Sequence, residues 1–65
     1  MSRKTQVYTN DGWTTIDFAE LDHGDKFRMF DDGKPVRGTK GEVVFTAKGK
    51  PYYNEEVEAL TVDIF

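Results

Sequence analysis

Phe27-Arg28-Met29-Phe30-Asp31-Asp32-Gly33-Lys34-Pro35-Val36 decides the fold. Asp and Gly tolerate the left-handed backbone angles of a tight reversal, so Asp31-Asp32-Gly33 between two strand-like runs reads as the tip of a β-hairpin. Ahead of the tip, alternation at period two places Phe27 and Met29 on one face of a strand over 26–30, with Lys26, Arg28 and Phe30 on the other. Behind it, Pro35 has no N–H to give to a ladder, which makes the return strand a short edge.

Outward from the hairpin the same alternation recurs. Upstream, Trp13-Thr14-Thr15-Ile16-Asp17-Phe18 puts Ile16 and Phe18 on one face, and its β-branched threonines favour a strand. Asn10-Asp11-Gly12 is a turn, preceded by a first short strand over 6–9. Residues 1–5 hold Arg3 and Lys4 without an apolar pattern and read as a loose tail. Residues 19–22 suit one helical or 3₁₀ turn. Downstream, residues 38–41 are a flexible connection. Residues 42–48 are the clearest strand, with Val43, Phe45 and Ala47 alternating against Glu42, Val44, Thr46 and Lys48. Tyr52 and Tyr53 open another strand, 54–56 bends, and 57–65 alternates with Leu60, Val62 and Ile64 pointing one way.

Five or six short strands joined by glycine turns predict an all-β fold, a small curled antiparallel sheet or SH3-like barrel occupying 6–65. A five-stranded oligonucleotide-binding barrel fits less well at this length. The expected core is Ile16, Phe18, Leu21, Phe27, Met29, Val43, Phe45, Leu60, Val62 and Ile64.

At 65 residues the chain holds one domain, with a stability on the order of 3–5 kcal/mol. It has no cysteine and one histidine, so disulfides and thiolate metal sites are excluded and no metal or other cofactor is expected. No run of about 18 apolar residues occurs, and the N-terminal residues lack a signal-peptide pattern, which points to a soluble protein of the cytoplasm without membrane contact.

The unit Phe18-Ala19-Glu20-Leu21-Asp22-His23-Gly24-Asp25-Lys26-Phe27 resembles a Phe-x-x-Leu-x-x-Gly-Asp-x-Phe pattern that leads into a sheet in many small, uncharacterised phage and prophage proteins. The later Asp31-Asp32-Gly33-Lys34-Pro35-Val36, Phe45-Thr46-Ala47 and Pro51-Tyr52-Tyr53-Asn54 are similar to the same kind of protein, over about residues 13–62. The resemblance implies an accessory protein of a phage or prophage, working in the host cytoplasm. It carries no catalytic or binding residue with it.

Asp22-His23-Gly24-Asp25 is the one place where carboxylates adjoin the histidine. Turns use Asp and Gly for backbone reasons, so this segment reads as structural and no enzyme activity is expected. The glycines do not have phosphate-loop spacing, and Asp31/Asp32 and Glu55/Glu56 lack the twelve-residue calcium-loop pattern.

Charge is patchy. Residues 34–50 hold Lys34, Arg37, Lys40, Lys48 and Lys50 against Glu42 alone, whereas 11–33 hold seven acids against Lys26 and Arg28. Two binding functions follow as expectations. The first is a non-enzymatic module for an unidentified protein partner, in the host if phage-encoded, contacting it through Trp13, Phe30, Tyr52 and Tyr53, rings the sheet interior does not need. The alternative is a small β-barrel that binds nucleic acid through the five bases of 34–50, against the repulsion of a net charge of −3. A short free edge near Pro35 or in the last strand leaves the chain a monomer or a weak homodimer.

Overall fold

The β3–β4 hairpin forms where the Asp-Asp-Gly signal places it. In the computed structural model, which describes residues 3–65, β3 (Lys26–Asp31) reverses into β4 (Lys34–Pro35), with Asp31 opposite Lys34 and Phe30 opposite Pro35. Asp32 and Gly33 have φ of 51° and 82°, the doubly left-handed geometry of a two-residue type I′ turn. The proline sits in a two-residue edge strand, where its missing donor costs no ladder bond.

The chain is all-β, with one 3₁₀ turn at Phe18–Glu20. β1 (Arg3–Thr9) pairs antiparallel with β2 (Gly12–Ile16) on one side and with β3 on the other, giving the order β2-β1-β3-β4. β5 (Phe45–Thr46) adds to β3 as the fifth strand of this main sheet. β6 (Tyr52–Asn54) and β7 (Ala59–Thr61) form a separate two-stranded hairpin. The two sheets do not close into a barrel, so the SH3-like closure expected from the sequence is replaced by an open arrangement.

The expected loose tail over 1–5 falls partly outside the described residues, but Arg3, Lys4 and Thr5 belong to β1, a strand with a neighbour on both sides. Thr5 is buried opposite both Ile16 and Met29. The threonine and valine of Thr5-Gln6-Val7 supply the inward positions that two flanking strands need, and this outweighs the two charges ahead of them.

The second strand is also shorter than 13–18. It ends at Ile16, and Phe18 begins the 3₁₀ turn that carries Leu21 into the interior. The strand expected over 42–48 shrinks to Phe45–Thr46 because the open edge of β3 is shared. β5 pairs with its Lys26 and Phe27, while β4 pairs with Phe30 and Asp31 and Val36 N–H donates to Met29 O.

The core centres on Leu21, Phe27, Phe45 and Ala47, with Ile16, Phe18, Met29 and Val62 packed against it. Phe27 and Phe45, opposite one another on paired strands, hold their ring centroids 5.7 Å apart. Of the expected core residues, Leu60 and Ile64 are about half exposed, and Val43, partly buried like Ile16, Phe18, Met29 and Val62, is not among those packed against this cluster. Val7 and Ala47 take interior places instead.

Leu60, Val62 and Ile64 do face one region, as their alternation predicts, and with Phe27, Met29 and Phe45 they line a cleft of about 470 Å³. The cleft is open, which is why these side chains keep much of their exposure. The C-terminal segment is held to the main sheet by the Ala47–Ile64 bridge and by Lys48 N–H to Asp63 O and Phe65 N–H to Thr46 O.

Candidate binding face

Register places the side chains of the main sheet on two faces. Residues directly opposite one another in a ladder share a face, and neighbours along a strand alternate. Thr5, Val7, Ile16, Phe27, Met29 and Phe45 face inward. The opposite, outer face therefore carries Lys4, Gln6 and Tyr8 from β1, Trp13 and Thr15 from β2, Lys26, Arg28 and Phe30 from β3, Pro35 from β4 and Thr46 from β5.

Those ten positions include three aromatic rings and three cations. None of the twelve acids of the chain stands among them. In a protein with a net charge of −3 this is a segregated surface.

Arg28 organises it. Its guanidinium carbon lies 4.2 Å from the Trp13 ring centroid and 5.2 Å from that of Phe30. Its Nε donates to Gln6 Oε1 at 2.8 Å, and Gln6 Nε2 donates in turn to Thr15 Oγ1 at 3.4 Å. Tyr8 meets Trp13 edge-on, with centroids 5.2 Å apart. Cation–π contact and the hydrogen bond together hold a long side chain in one orientation. Among the described residues no carboxylate pairs with Arg28; the ion pair of this region is Arg3 with Asp31, at 3.6 Å on the inward row. Beside Arg28, the side chains of Lys4, Gln6 and Phe30 and the turn at Gly33 enclose a hollow of about 350 Å³.

Of the four rings expected to contact a partner, Trp13 and Phe30 thus come together through Arg28. Tyr52 and Tyr53 stand apart on β6, both exposed. The Tyr52 hydroxyl donates to Asp63 Oδ1 at 3.1 Å, and that hydrogen bond, reinforced by the carboxylate's negative charge, raises the phenol above its ordinary pKa.

The five bases of 34–50 are divided among three places. Lys34 lies on the inward row at the β3–β4 turn, and Arg37 and Lys40 lie on the following connection, where Arg37 Nη1 donates to Gly41 O. Lys48 and Lys50 follow β5, with Lys48 Nζ 5.8 Å from the Phe65 ring. No contact among the described residues joins them, and none lines the outer-face hollow.

Asp22-His23-Gly24-Asp25 is knit into the framework. Asp25 Oδ2 accepts from Asp22 N–H and Gly24 N–H donates to Ala47 O. His23 Nδ1 accepts from Gly49 N–H at 2.9 Å while its ring packs edge-on to Phe65.

Tyr8, Arg28, Lys4 and Gln6 escaped the sequence reading as site residues. Their signal was present: Lys4, Gln6 and Tyr8 alternate with Thr5, Val7 and Thr9 at period two, the spacing that puts them on the face of Arg28 once β1 begins at Arg3. No family model matches the chain, and no curated protein or solved structure matches it at a significant level.

Proposed function

We propose that this protein is a non-enzymatic binding module, of the kind implied by its resemblance to small phage and prophage accessory proteins, and that the outer face of the main sheet is its working surface. One observation carries the reading: the ten outer strand positions gather three rings and three cations and hold no acid. A sheet needs no such segregation to fold, because its stability comes from the other side, around Phe27 and Phe45. Arg, Trp and Tyr are also the residue types that dominate binding energy at interfaces, and here Arg28 is held in place before any ligand arrives.

A second surface is favoured by a specific feature, the exposed Tyr52 and Tyr53 beside the open apolar cleft. Site-specific photocrosslinking separates the two. A benzophenone side chain placed at Thr15 and, in a second variant, at Tyr53 is activated in the cells that express the protein. The outer-face reading expects adducts from position 15, whether their mass is removed by nuclease or by protease. Adducts from position 53 alone would transfer the function to the hairpin.

A further inference from the structure

We infer that the ligand of the outer face is single-stranded nucleic acid, with a backbone phosphate in the hollow between Lys4 and Arg28 and bases stacked on the exposed Tyr8 ring and the half-buried rings of Trp13 and Phe30. This rests on the reading of the outer face as the working surface and adds the chemistry of what it holds.

The charge argument comes first. A face with Lys4, Lys26 and Arg28 and no acid is complementary to an anion, and the hollow is walled by two of those cations together with the Gln6 amide. Arg28 commits its Nε to Gln6, which fixes the plane of the guanidinium and leaves the Nη pair as the donors of the fork. A planar fork of that kind matches the oxygens of a phosphate.

The rings then select among anions. Phe30 borders the same hollow, and Trp13 and Tyr8 lie on the other side of Arg28. Lys4 and Tyr8 are four residues apart on β1, about 13 Å along the strand, so phosphate-binding and stacking groups are spread along a track and not gathered at a point. Cations interleaved with aromatic rings on an open sheet are what an unpaired strand needs, since each base offers a ring face and each linkage a negative charge. A duplex hides its base faces and would meet only the cations. An acidic polypeptide would meet the same cations and leave the rings without stacking partners.

No acid holds an outer strand position, yet the whole chain carries a net charge of −3, so attraction is local and the number of neutralised phosphates is small. Three cations give a slope of about −2 for log affinity against log salt, since single strands release about 0.7 counterion per phosphate contacted. Affinity then falls roughly fifteen-fold between 50 and 200 mM salt.

Trp13 is the only tryptophan in the chain and stands on the proposed face, so its emission reports occupancy directly. The full chain is titrated with a twelve-nucleotide oligothymidylate, with the duplex it forms with oligoadenylate, and with polyglutamate. We expect saturable quenching by the single strand, at least ten-fold weaker binding of the duplex, and no quenching by polyglutamate. Lys4→Gln and Tyr8→Ala, both at exposed positions, should each weaken binding several-fold, and Arg28→Gln at least ten-fold, with circular dichroism unchanged. Lys50→Gln should bind as the unaltered protein does.

Failure of the oligonucleotide to bind at 50 mM salt overturns the inference, as does equal competition by polyglutamate or undiminished binding in Lys4→Gln and Tyr8→Ala. If the single strand fails while position 15 still crosslinks to protein, the ligand class is wrong and the working face stands. If crosslinks arise from position 53 alone, the face itself is wrong.

Discussion

The main sheet and the C-terminal hairpin are built from similar alternating sequence, yet only one of them has an interior. β3 is flanked by β1 along one edge and by β4 and β5 along the other, and its Phe27 is 1% exposed. β7 has a single partner, β6, and its Leu60 is 49% exposed. Alternation at period two specifies that one face of a strand is apolar. It does not specify that anything covers that face, which depends on neighbours supplied by distant parts of the chain.

The contrast is sharpest in truncations. Phe27→Ala removes a fully buried ring and leaves a cavity against Phe45 and Leu21, a loss of about 3–5 kcal/mol. That equals the whole stability expected of a domain of this size, so the variant should show no cooperative unfolding transition by circular dichroism. Leu60→Ala should cost about 1 kcal/mol or less and keep a transition lowered by a few degrees, because half of its side chain never left water. A Leu60 variant as damaged as the Phe27 variant would mean that the cleft is closed in solution.

The two hairpin turns give a smaller contrast of opposite sign. In the β3–β4 turn, Gly33 has φ of 82° with open space where a Cβ would stand, so Gly33→Ala meets no clash but holds an L side chain at a left-handed angle and should cost about 1 kcal/mol. In the β6–β7 turn it is Glu58, a residue with a Cβ, that holds φ of 53°. Glu58→Gly relieves that strain and should raise the urea midpoint slightly, by an increment worth about 0.5 kcal/mol after the extra freedom of the unfolded chain is counted. A lowered midpoint would show that the Glu58 side chain stabilises the turn.

These turns also mark what could be read from the sequence. Asp32-Gly33 announces its geometry because two adjacent residues tolerate left-handed angles, and Pro35 announces an edge because it lacks a donor. The 3₁₀ turn and the facing of Phe27 and Met29 were legible for the same local reasons. The extent of β5 was not, since Val43 and Val44 favour a strand but the part of β3 they would reach is held by β4 and Val36. The outer face was half legible. Trp13 and Phe30 stood out as rings the interior did not need, while Tyr8 and Arg28 acquired meaning only through register, once Arg3–Thr9 became the strand that brings β2 and β3 together.

The smallest effect lies in the hairpin, at Tyr52. Its hydroxyl donates to Asp63, and the hydrogen bond first, the carboxylate's charge second and slight desolvation third all favour the neutral phenol, so its pKa stands above the ordinary 10.0. A pKa raised by folding means that the contact is fully present below about pH 10 and is lost as pH rises through the folded value, so neutral and mildly alkaline solutions leave the hairpin intact. Absorbance at alkaline pH should show a phenol ionising above the ordinary range, and Tyr52→Phe should remove that step. Asp63→Asn removes the charge and should bring that late step back down, while the main sheet, whose hydrogen bonds do not involve Asp63 beyond its backbone bond to Lys48, keeps its signal. An unchanged late step in Asp63→Asn would place the perturbing group elsewhere and detach Tyr52 from the C-terminal segment.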